Sequence, residues 1–230
     1  MKESTRPLPN LLLAQLDQAS LTRLEPRQVR LQAAIKVATA GGVPQLVIFP
    51  LRGTILAAWT EIGGKAGPPS LIDHARLLLA RQALPATLNV LVPGEAIVVE
   101  ARALRDVQQD HYELNDALAR GQDLFLAEAM QQVACTAGHA VEARMANLLR
   151  RLFETTGQTT LSLTQATLAA LLAIPRTSAS SAAAMLQRAG AIEVRRGDVK
   201  LLSDELLRAG ACSCGEALAL HRNRLFGKNV

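Results

Sequence analysis

The apolar and polar positions divide the chain into a strand-rich first part and a helical second part. Between Val29 and Val99, short apolar or alternating runs are interrupted by Gly and Pro, which predicts strands joined by turns in a small β-barrel or β-roll. The runs are Val29–Leu31, Gln45–Phe49, Thr54–Trp59, Thr87–Leu91 and Ala96–Val99. Residues 10–25 and 71–84 have the spacing of short helices.

A long amphipathic helix is predicted from about Leu104 to Ala137, because this segment lacks Pro, has a single Gly and repeats apolar residues at helical spacing. Its apolar stripe consists of Leu114, Leu118, Gly121, Phe125, Ala129 and Val133. We expect this stripe to pair with a second copy of the chain; packing within one chain is the alternative that the pattern leaves open. Further helices are predicted over about 139–155, Ser203–Ala211 and Ser213–Phe226.

Residues 161–202 carry the most specific pattern, two short helices separated by a tight turn and followed by a two-stranded ribbon. The first helix starts near Thr164, whose hydroxyl can cap the first turn, and Pro175 separates it from a second helix over about Arg176 to Arg188. Gly190 ends the second helix, and residues 192–201 alternate like a hairpin. This is the layout of a winged helix-turn-helix, which places one helix in the DNA major groove.

Polar and basic side chains collect where such a module meets DNA. A recognition helix contacts bases and phosphates near its N-terminal end, and the wing contacts phosphate. The predicted DNA-binding residues are Thr164, Gln165, Arg176, Thr177, Ser178, Ser180, Ser181, Arg188, Arg195, Arg196 and Lys200. The alternative is a small α+β core without DNA contacts, because the same geometry also occurs in proteins that do not bind DNA.

The charge distribution favours a nucleic-acid partner for the second part. The chain of 230 residues has a net charge of +5. Residues 151–230 hold 10 Lys and Arg against 6 Asp and Glu, so +4 of the net charge lies in this segment, where it would attract phosphate. No apolar run is long enough to span a bilayer, and the N-terminus lacks an apolar secretion segment. We therefore expect a cytoplasmic protein.

The sequence predicts neither an enzyme nor a metal site. Cys135, Cys212 and Cys214 form no disulfide framework, and no further Cys or His cluster in the sequence completes four ligands around Cys212 and Cys214. We expect small buried thiols in a reducing compartment. Phosphate-binding loops and nucleophile motifs are also absent from the sequence. A β-roll enzyme of cupin type would need clustered His and Glu ligands, which the sequence lacks, so no cofactor is predicted.

The order of β-roll, long helix and winged helix-turn-helix resembles the CRP/FNR superfamily of bacterial transcription regulators over nearly the whole chain. The segment L-T-Q-A-T-L-A-A-L-L-A-I-P-R-T-S-A-S-S-A-A-A-M-L-Q-R-A-G-A-I-E-V-R-R-G-D-V-K-L-L looks like that family's C-terminal signature. The segments V-I-F-P-L-R-G at 47–53, V-E-A-R-M-A-N-L-L at 141–149 and A-C-S-C-G-E-A-L at 211–218 are similar to one branch.

The resemblance implies an α+β protein in three parts. These are a cyclic-nucleotide-binding-like β-roll (a double-stranded β-helix) over 1–103, a dimerisation helix over 104–137, and a winged helix-turn-helix DNA-binding domain over 138–230. It further implies a homodimer that binds an inverted-repeat operator and regulates transcription, with double-stranded DNA and RNA polymerase as partners. Arg176 matches the family's leading Arg, which contacts guanine through O6 and N7.

Departures from the family pattern limit what the resemblance implies. Residues 63–95 lack the Gly-Glu-Leu and Arg-Ser-Ala stretches that hold a cyclic phosphate, so we expect no response to cAMP, and the effector is unknown. Thr177 stands where Glu is frequent, Ser181 replaces a later Arg, and Ala173 replaces the usual Gly of the turn. The alternative function is a ligand-sensing or protein-interaction module whose DNA contacts have decayed.

Overall fold

The first part of the chain is a roll of antiparallel strands. The computed structural model describes residues 10–62, 65–75 and 86–227. One sheet has the order β1-β9-β3, the other has the order β2-β8-β4-β7, and β5-β6 is a separate ribbon. The strands are β1 Arg27–Leu31, β2 Lys36–Ala38, β3 Leu46–Pro50, β4 Ile55–Trp59, β5 Glu61–Ile62, β6 Lys65–Ala66, β7 Ser70–Ile72, β8 Thr87–Val92 and β9 Gly94–Glu100. All five predicted strand runs are therefore confirmed, and the fold class is α+β.

The two segments with helical spacing differ from the prediction. Residues 10–25 contain a 3₁₀ turn, Leu13–Gln15, and a short helix α1, Gln18–Leu24, which Asp17 caps by accepting a hydrogen bond from the backbone of Ser20 at 2.7 Å. The helix predicted over 71–84 is wrong at its start, because Leu71 and Ile72 belong to β7 and pair with β4. A short apolar run suits a buried strand as well as a helix. Residues 76–84 lie outside the described part.

The predicted long helix is two helices, α2 Ala101–Asp110 and α3 Tyr112–Gly138. His111 separates them with an extended backbone, φ −126° and ψ 96°. The inner residues of α2 cover the β1-β9-β3 sheet together with the N-terminal segment, in a core that includes Leu12, Phe49 and Leu104. The break is invisible in the sequence because the apolar spacing continues across it without Pro or Gly.

The second part of the chain is helical and carries a small sheet of order β10-β12-β11. Its elements are α4 Val141–Thr156, β10 Thr160–Leu161, α5 Gln165–Leu172, α6 Arg176–Arg188, β11 Ile192–Arg195, β12 Asp198–Leu201, α7 Asp204–Gly210 and α8 Cys214–Phe226. α4 packs against α6 and α7 and contributes Met145, Ala146 and Leu149, all fully buried. α8 returns to pack against α3. None of the described helices combines the length and apolar character needed to cross a membrane.

Candidate nucleic-acid interface

The predicted helix-turn-helix is present with the predicted helix limits. Thr164 caps α5, its hydroxyl accepting a hydrogen bond from the backbone N–H of Thr167 at 3.0 Å. The turn passes through Ala173 in the left-handed conformation, φ 50° and ψ 51°, and the N–H of Ile174 closes it by donating to the carbonyl of Ala169 at 3.0 Å. Pro175 then precedes α6 with the extended backbone of a helix N-cap. The two helices are thereby held at a fixed angle.

Small side chains bring α6 close to the rest of the domain. Its buried residues are Ala179, Ala182, Ala183 and Leu186, and the first two are fully buried. α6 packs on α4 and α5 through this face. The opposite face is left to solvent, with Arg176 and Thr177 in its first turn, Ser181 in the middle and Arg188 in the last turn. In recognition helices that enter a major groove, an exposed face of this kind contacts the bases.

Two predicted DNA-binding residues hold the helices together. The Ser180 hydroxyl lies 2.7 Å from Oε1 of Gln165 on α5 and 2.9 Å from the Arg176 carbonyl, and it can donate to either. Ser178 and Ser180 are half-buried, while Gln165 is exposed. This contact spans the turn and fixes the register of α6 against α5. The side-chain oxygens of Gln165 and Ser180 therefore have partners within the protein.

The predicted wing is formed by β11 and β12. Ile192 pairs with Leu201 at one end of the ladder and Arg195 pairs with Asp198 at the other, so the tip consists of Arg196 and Gly197. Gly197 has the positive φ, 85°, that such a turn requires. Asp198 is the first residue of β12. The wing is fastened to α6 because the backbone N–H of Val194 donates to Oε1 of Gln187 at 2.9 Å.

The three wing cations differ in their surroundings. Arg196 is exposed at the tip. Arg195 forms an ion pair with Glu193 at 2.9 Å, with 72% of its side chain exposed. Lys200 stands opposite Glu193 in the ladder, away from the tip, and is also exposed. Of these three, Arg196 has the position best suited to a phosphate contact.

Three of the six residues in the predicted dimerisation stripe pack against the core of their own chain. Leu114 is fully buried, Leu118 is 2% exposed, and a Cβ added to Gly121 would lie 3.1 Å from the Leu12 methyl carbons. These three positions are covered by the chain's own core, so they are not available to a second copy. Phe125 and Ala129 are half-buried where α3 faces the β-roll. Only Val133 of the predicted stripe is freely exposed, at 73%.

A second apolar row on α3 remains uncovered. Leu126 is 58% exposed, Met130 is 66% exposed and Val133 is 73% exposed. Their spacing of four and three residues places them on one side of the helix. The sequence contains this spacing, but it does not show which of the two rows the N-terminal segment covers.

The structure also assembles a side-chain cluster that no local pattern indicates. Cys135 and His139 at the end of α3 meet Cys212 and Cys214 at the start of α8, and the four potential ligand atoms all lie within 4.8 Å of one another. The expectation that nothing completes four ligands around Cys212 and Cys214 is therefore wrong. The missing pair comes from a segment far away in the sequence.

Comparison with known families agrees with this geometry. Residues 143–209 match the family model of the Crp-like helix-turn-helix domain. The match extends from α4 to α7 and includes both helices of the motif and the wing. The comparison with curated protein sequences finds no match.

Several solved structures have a similar fold. FixK2 from Bradyrhizobium japonicum superimposes with a TM-score of 0.66 at 10% identity, over 81% of this chain and 98% of that chain. TTHA1359, a CRP/FNR family transcriptional regulator from Thermus thermophilus, gives 0.65 at 20% identity, over 83% and 98%. CLP, the c-di-GMP responsive global regulator of Xanthomonas campestris, gives 0.62 at 16% identity, over 81% and 100%. At these identities the likeness concerns the fold.

Proposed function

We propose that this chain is a transcription regulator of the CRP/FNR superfamily, and that it forms a homodimer that binds an inverted-repeat operator in double-stranded DNA. The observation that carries the proposal is the geometry of α6. One face is buried by small side chains, and the other presents Arg176 and Thr177 at the helix start, with Arg196 on the adjacent wing. RNA polymerase is a further proposed partner.

The predicted contact residues divide by chemistry into base readers and duplex positioners. Arg176 has the fork of donors that guanine O6 and N7 accept, and Thr177 and Ser181 lie on the same exposed helix face. Ser178, Arg188, Arg195, Arg196 and Lys200 would contact phosphates and fix the register on the duplex. We assign Gln165 and Ser180 chiefly to holding α5 against α6, because their side chains already bond to each other.

The exposed row on α3 supplies the proposed dimer contact. In a two-fold dimer, each side chain is used twice, and Leu126, Met130 and Val133 together offer six apolar side chains. Pairing along α3 gives a symmetric molecule with two copies of α6. An inverted repeat with half-sites about one helical turn apart, roughly 34 Å, is the DNA that such symmetry reads.

We further propose that the regulator does not respond to cAMP. Gly94 and Glu95, the Gly-Glu pair of the late strand, have structural roles in the roll. A Cβ on Gly94 would lie 2.2 Å from the Thr54 hydroxyl, which donates to the Glu95 carbonyl at 2.8 Å. The exposed Glu95 carboxylate accepts a hydrogen bond from Gln28 at 2.9 Å. These contacts give the pair a role in the packing of the strands, which supports the proposal.

Selection from a randomised duplex library at moderate salt tests the proposal. We expect the purified chain to enrich an inverted repeat. On that site, Arg176→Ala should weaken binding by about 1–3 kcal/mol, roughly 5- to 150-fold, and equal losses on specific and random duplexes would contradict its base-reading role. Arg196→Ala should lower the slope of log affinity against log salt by about one unit.

Arg105→Ala, an exposed Arg on α2 outside the DNA-binding domain, is the matched control and should change neither quantity. Enrichment of no repeat, with equal affinities for all duplexes, would overturn the proposal. That result would support the alternative module in which the DNA contacts have decayed.

A further inference from the structure

Four metal-ligand side chains converge where the DNA-binding domain meets the end of α3. Cys135 lies in the last turn of α3, His139 follows that helix, Cys212 lies between α7 and α8, and Cys214 begins α8. The three thiols are 4–9% exposed, whereas the His139 ring is at the surface. The cluster takes no part in the proposed DNA contact or in the apolar row of α3.

The separations match the requirements of a tetrahedral cation. Zn²⁺ binds thiolate sulfur at about 2.3 Å and imidazole nitrogen at about 2.0 Å, so a tetrahedron puts two sulfurs about 3.8 Å apart and sulfur and nitrogen about 3.6 Å apart. Here Cys135 Sγ and Cys212 Sγ are 3.6 Å apart, and Cys214 Sγ and His139 Nδ1 are 3.4 Å apart. A disulfide would need about 2.05 Å between the sulfurs. Two separations are thus those of a tetrahedral site, and all four donor atoms lie within 4.8 Å of one another.

We propose that Cys135, His139, Cys212 and Cys214 bind one thiophilic divalent cation, Zn²⁺ in the first instance, in a closed Cys₃His site. The donor set of three soft sulfurs and one imidazole selects Zn²⁺ over the oxygen-seeking Mg²⁺ and Ca²⁺. All four positions come from the protein, which is the composition of a structural site and not of a catalytic one.

The neighbours of the cluster also suit thiolate ligands. Nε2 of Gln131, one turn before Cys135, donates to Cys214 Sγ at 3.2 Å, which is the kind of outer hydrogen bond that orients a metal ligand.

The position of the site gives the cation a mechanical role. It would join the end of α3 and the α3–α4 connection to the α7–α8 turn, which follows the winged module in the chain. Cys212 is already held against α4, because its backbone N–H donates to the Ala143 carbonyl at 3.3 Å. A cation bound there would fasten the orientation of the DNA-binding domain relative to the proposed dimer contact.

Cobalt titration of the full chain tests the site directly. After chelation under reducing conditions, we expect Co²⁺ to bind at one equivalent per chain, with thiolate charge-transfer bands and the ligand-field bands of tetrahedral cobalt. Zn²⁺ should displace it. Cys214→Ser should abolish stoichiometric binding, Gln131→Ala should weaken it by about 10- to 100-fold, and His221→Ala, a histidine of α8 outside the cluster, should have no effect.

A measurement on the unaltered chain guards against variants that fail to fold. Zn²⁺ should protect all three thiols from a thiol reagent, and a chelator should restore their reactivity. The site is refuted if the reduced chain gives no cobalt–thiolate bands, if Cys214→Ser binds like the unaltered chain, or if Cys135 and Cys212 prove to be disulfide-bonded in the protein as purified. These readouts need no DNA, so their failure is distinct from failure of the proposed function.

Discussion

A negative charge at Met130 is the sharpest test of the proposed dimer contact. Met130 is the middle residue of the exposed row on α3, and 66% of it is still in contact with solvent. Full burial of such a side chain contributes about 1.5–3 kcal/mol, so covering the remaining two-thirds contributes about 1–2 kcal/mol. Because a symmetric dimer uses the residue twice, Met130→Glu should weaken the free energy of dimerisation by at least about 2–4 kcal/mol. The cost of burying the charged carboxylates adds to this loss.

Sedimentation velocity over a range of concentrations measures this effect. A loss of about 2 kcal/mol corresponds to a rise of roughly 30-fold in the dimer dissociation constant. Leu206→Glu is the matched control, since Leu206 is an exposed leucine, at 46%, on α7 of the DNA-binding domain. If Met130→Glu dimerises as tightly as the unaltered chain, the exposed row is not the dimer contact.

A variant of the inner stripe separates dimerisation from folding. Leu118 is 2% exposed and belongs to the core shared with the N-terminal segment. Leu118→Ala should therefore lower the free energy of unfolding by about 2–5 kcal/mol, measured in urea. Folded Leu118→Ala protein should keep the dimer dissociation constant of the unaltered chain. A selective loss of dimers with unchanged stability would restore Leu118 to the contact.

Two further predictions concern stability. Ala173→Gly should raise the urea midpoint of unfolding. Removing the backbone strain of a left-handed alanine contributes about 1–2 kcal/mol, which exceeds the cost of about 0.5–1 kcal/mol for the greater chain entropy of unfolded glycine. A lowered midpoint would show that Ala173 is not strained. Glu128→Ala should lower the free energy of unfolding by about 3–5 kcal/mol, because it leaves the positive charge of Arg151, whose side chain is only 19% exposed, without its ion-pair partner. Glu113→Ala, at an exposed position of the same helix, is the control. Equal effects of the two substitutions would contradict this reasoning.

The DNA-binding module could be predicted from the sequence because its signals are local. Pro175 fixes the start of α6, the spacing of Ala179, Ala182 and Leu186 fixes its buried face, and Gly190, with φ 76°, follows its end. Each of these acts within a few residues. The strand runs of the β-roll were predictable for the same reason, since Gly and Pro bound them.

The arrangement around α3 could not be predicted, because it depends on segments distant in the sequence. Helical periodicity gives two apolar rows, one through Leu114 and Leu118 and one through Leu126 and Met130. The first row is inside because the N-terminal segment, with Leu12, packs over it. The break at His111 could not be predicted for a related reason. α2 ends there so that it can pack on the sheet, whereas the apolar spacing of the sequence continues into α3.

The metal-ligand cluster shows most clearly why local patterns fail. Cys135 and His139 are one helical turn apart, and Cys212 and Cys214 are two residues apart, so each pair supplies half of a ligand set. Neither half indicates a site when it is read alone. The return of α8 along α3 is what brings the halves together, and that return is a property of tertiary packing.

The same end of α3 also carries a buried ion pair that reaches the β-roll. Glu128 is 3% exposed and accepts hydrogen bonds from Arg151 of α4 and, at 3.4 Å, from the backbone of Leu71 in β7. Cys135 lies seven residues further along α3, which is about 10 Å and nearly the same helix face. The β-roll, α3 and α4 are thus joined at Glu128, and the DNA-binding domain meets α3 again two turns later at Cys135. A displacement of the β-roll relative to α4 would break the contacts at Glu128, because its carboxylate bonds both to Arg151 of α4 and to Leu71 of the β-roll.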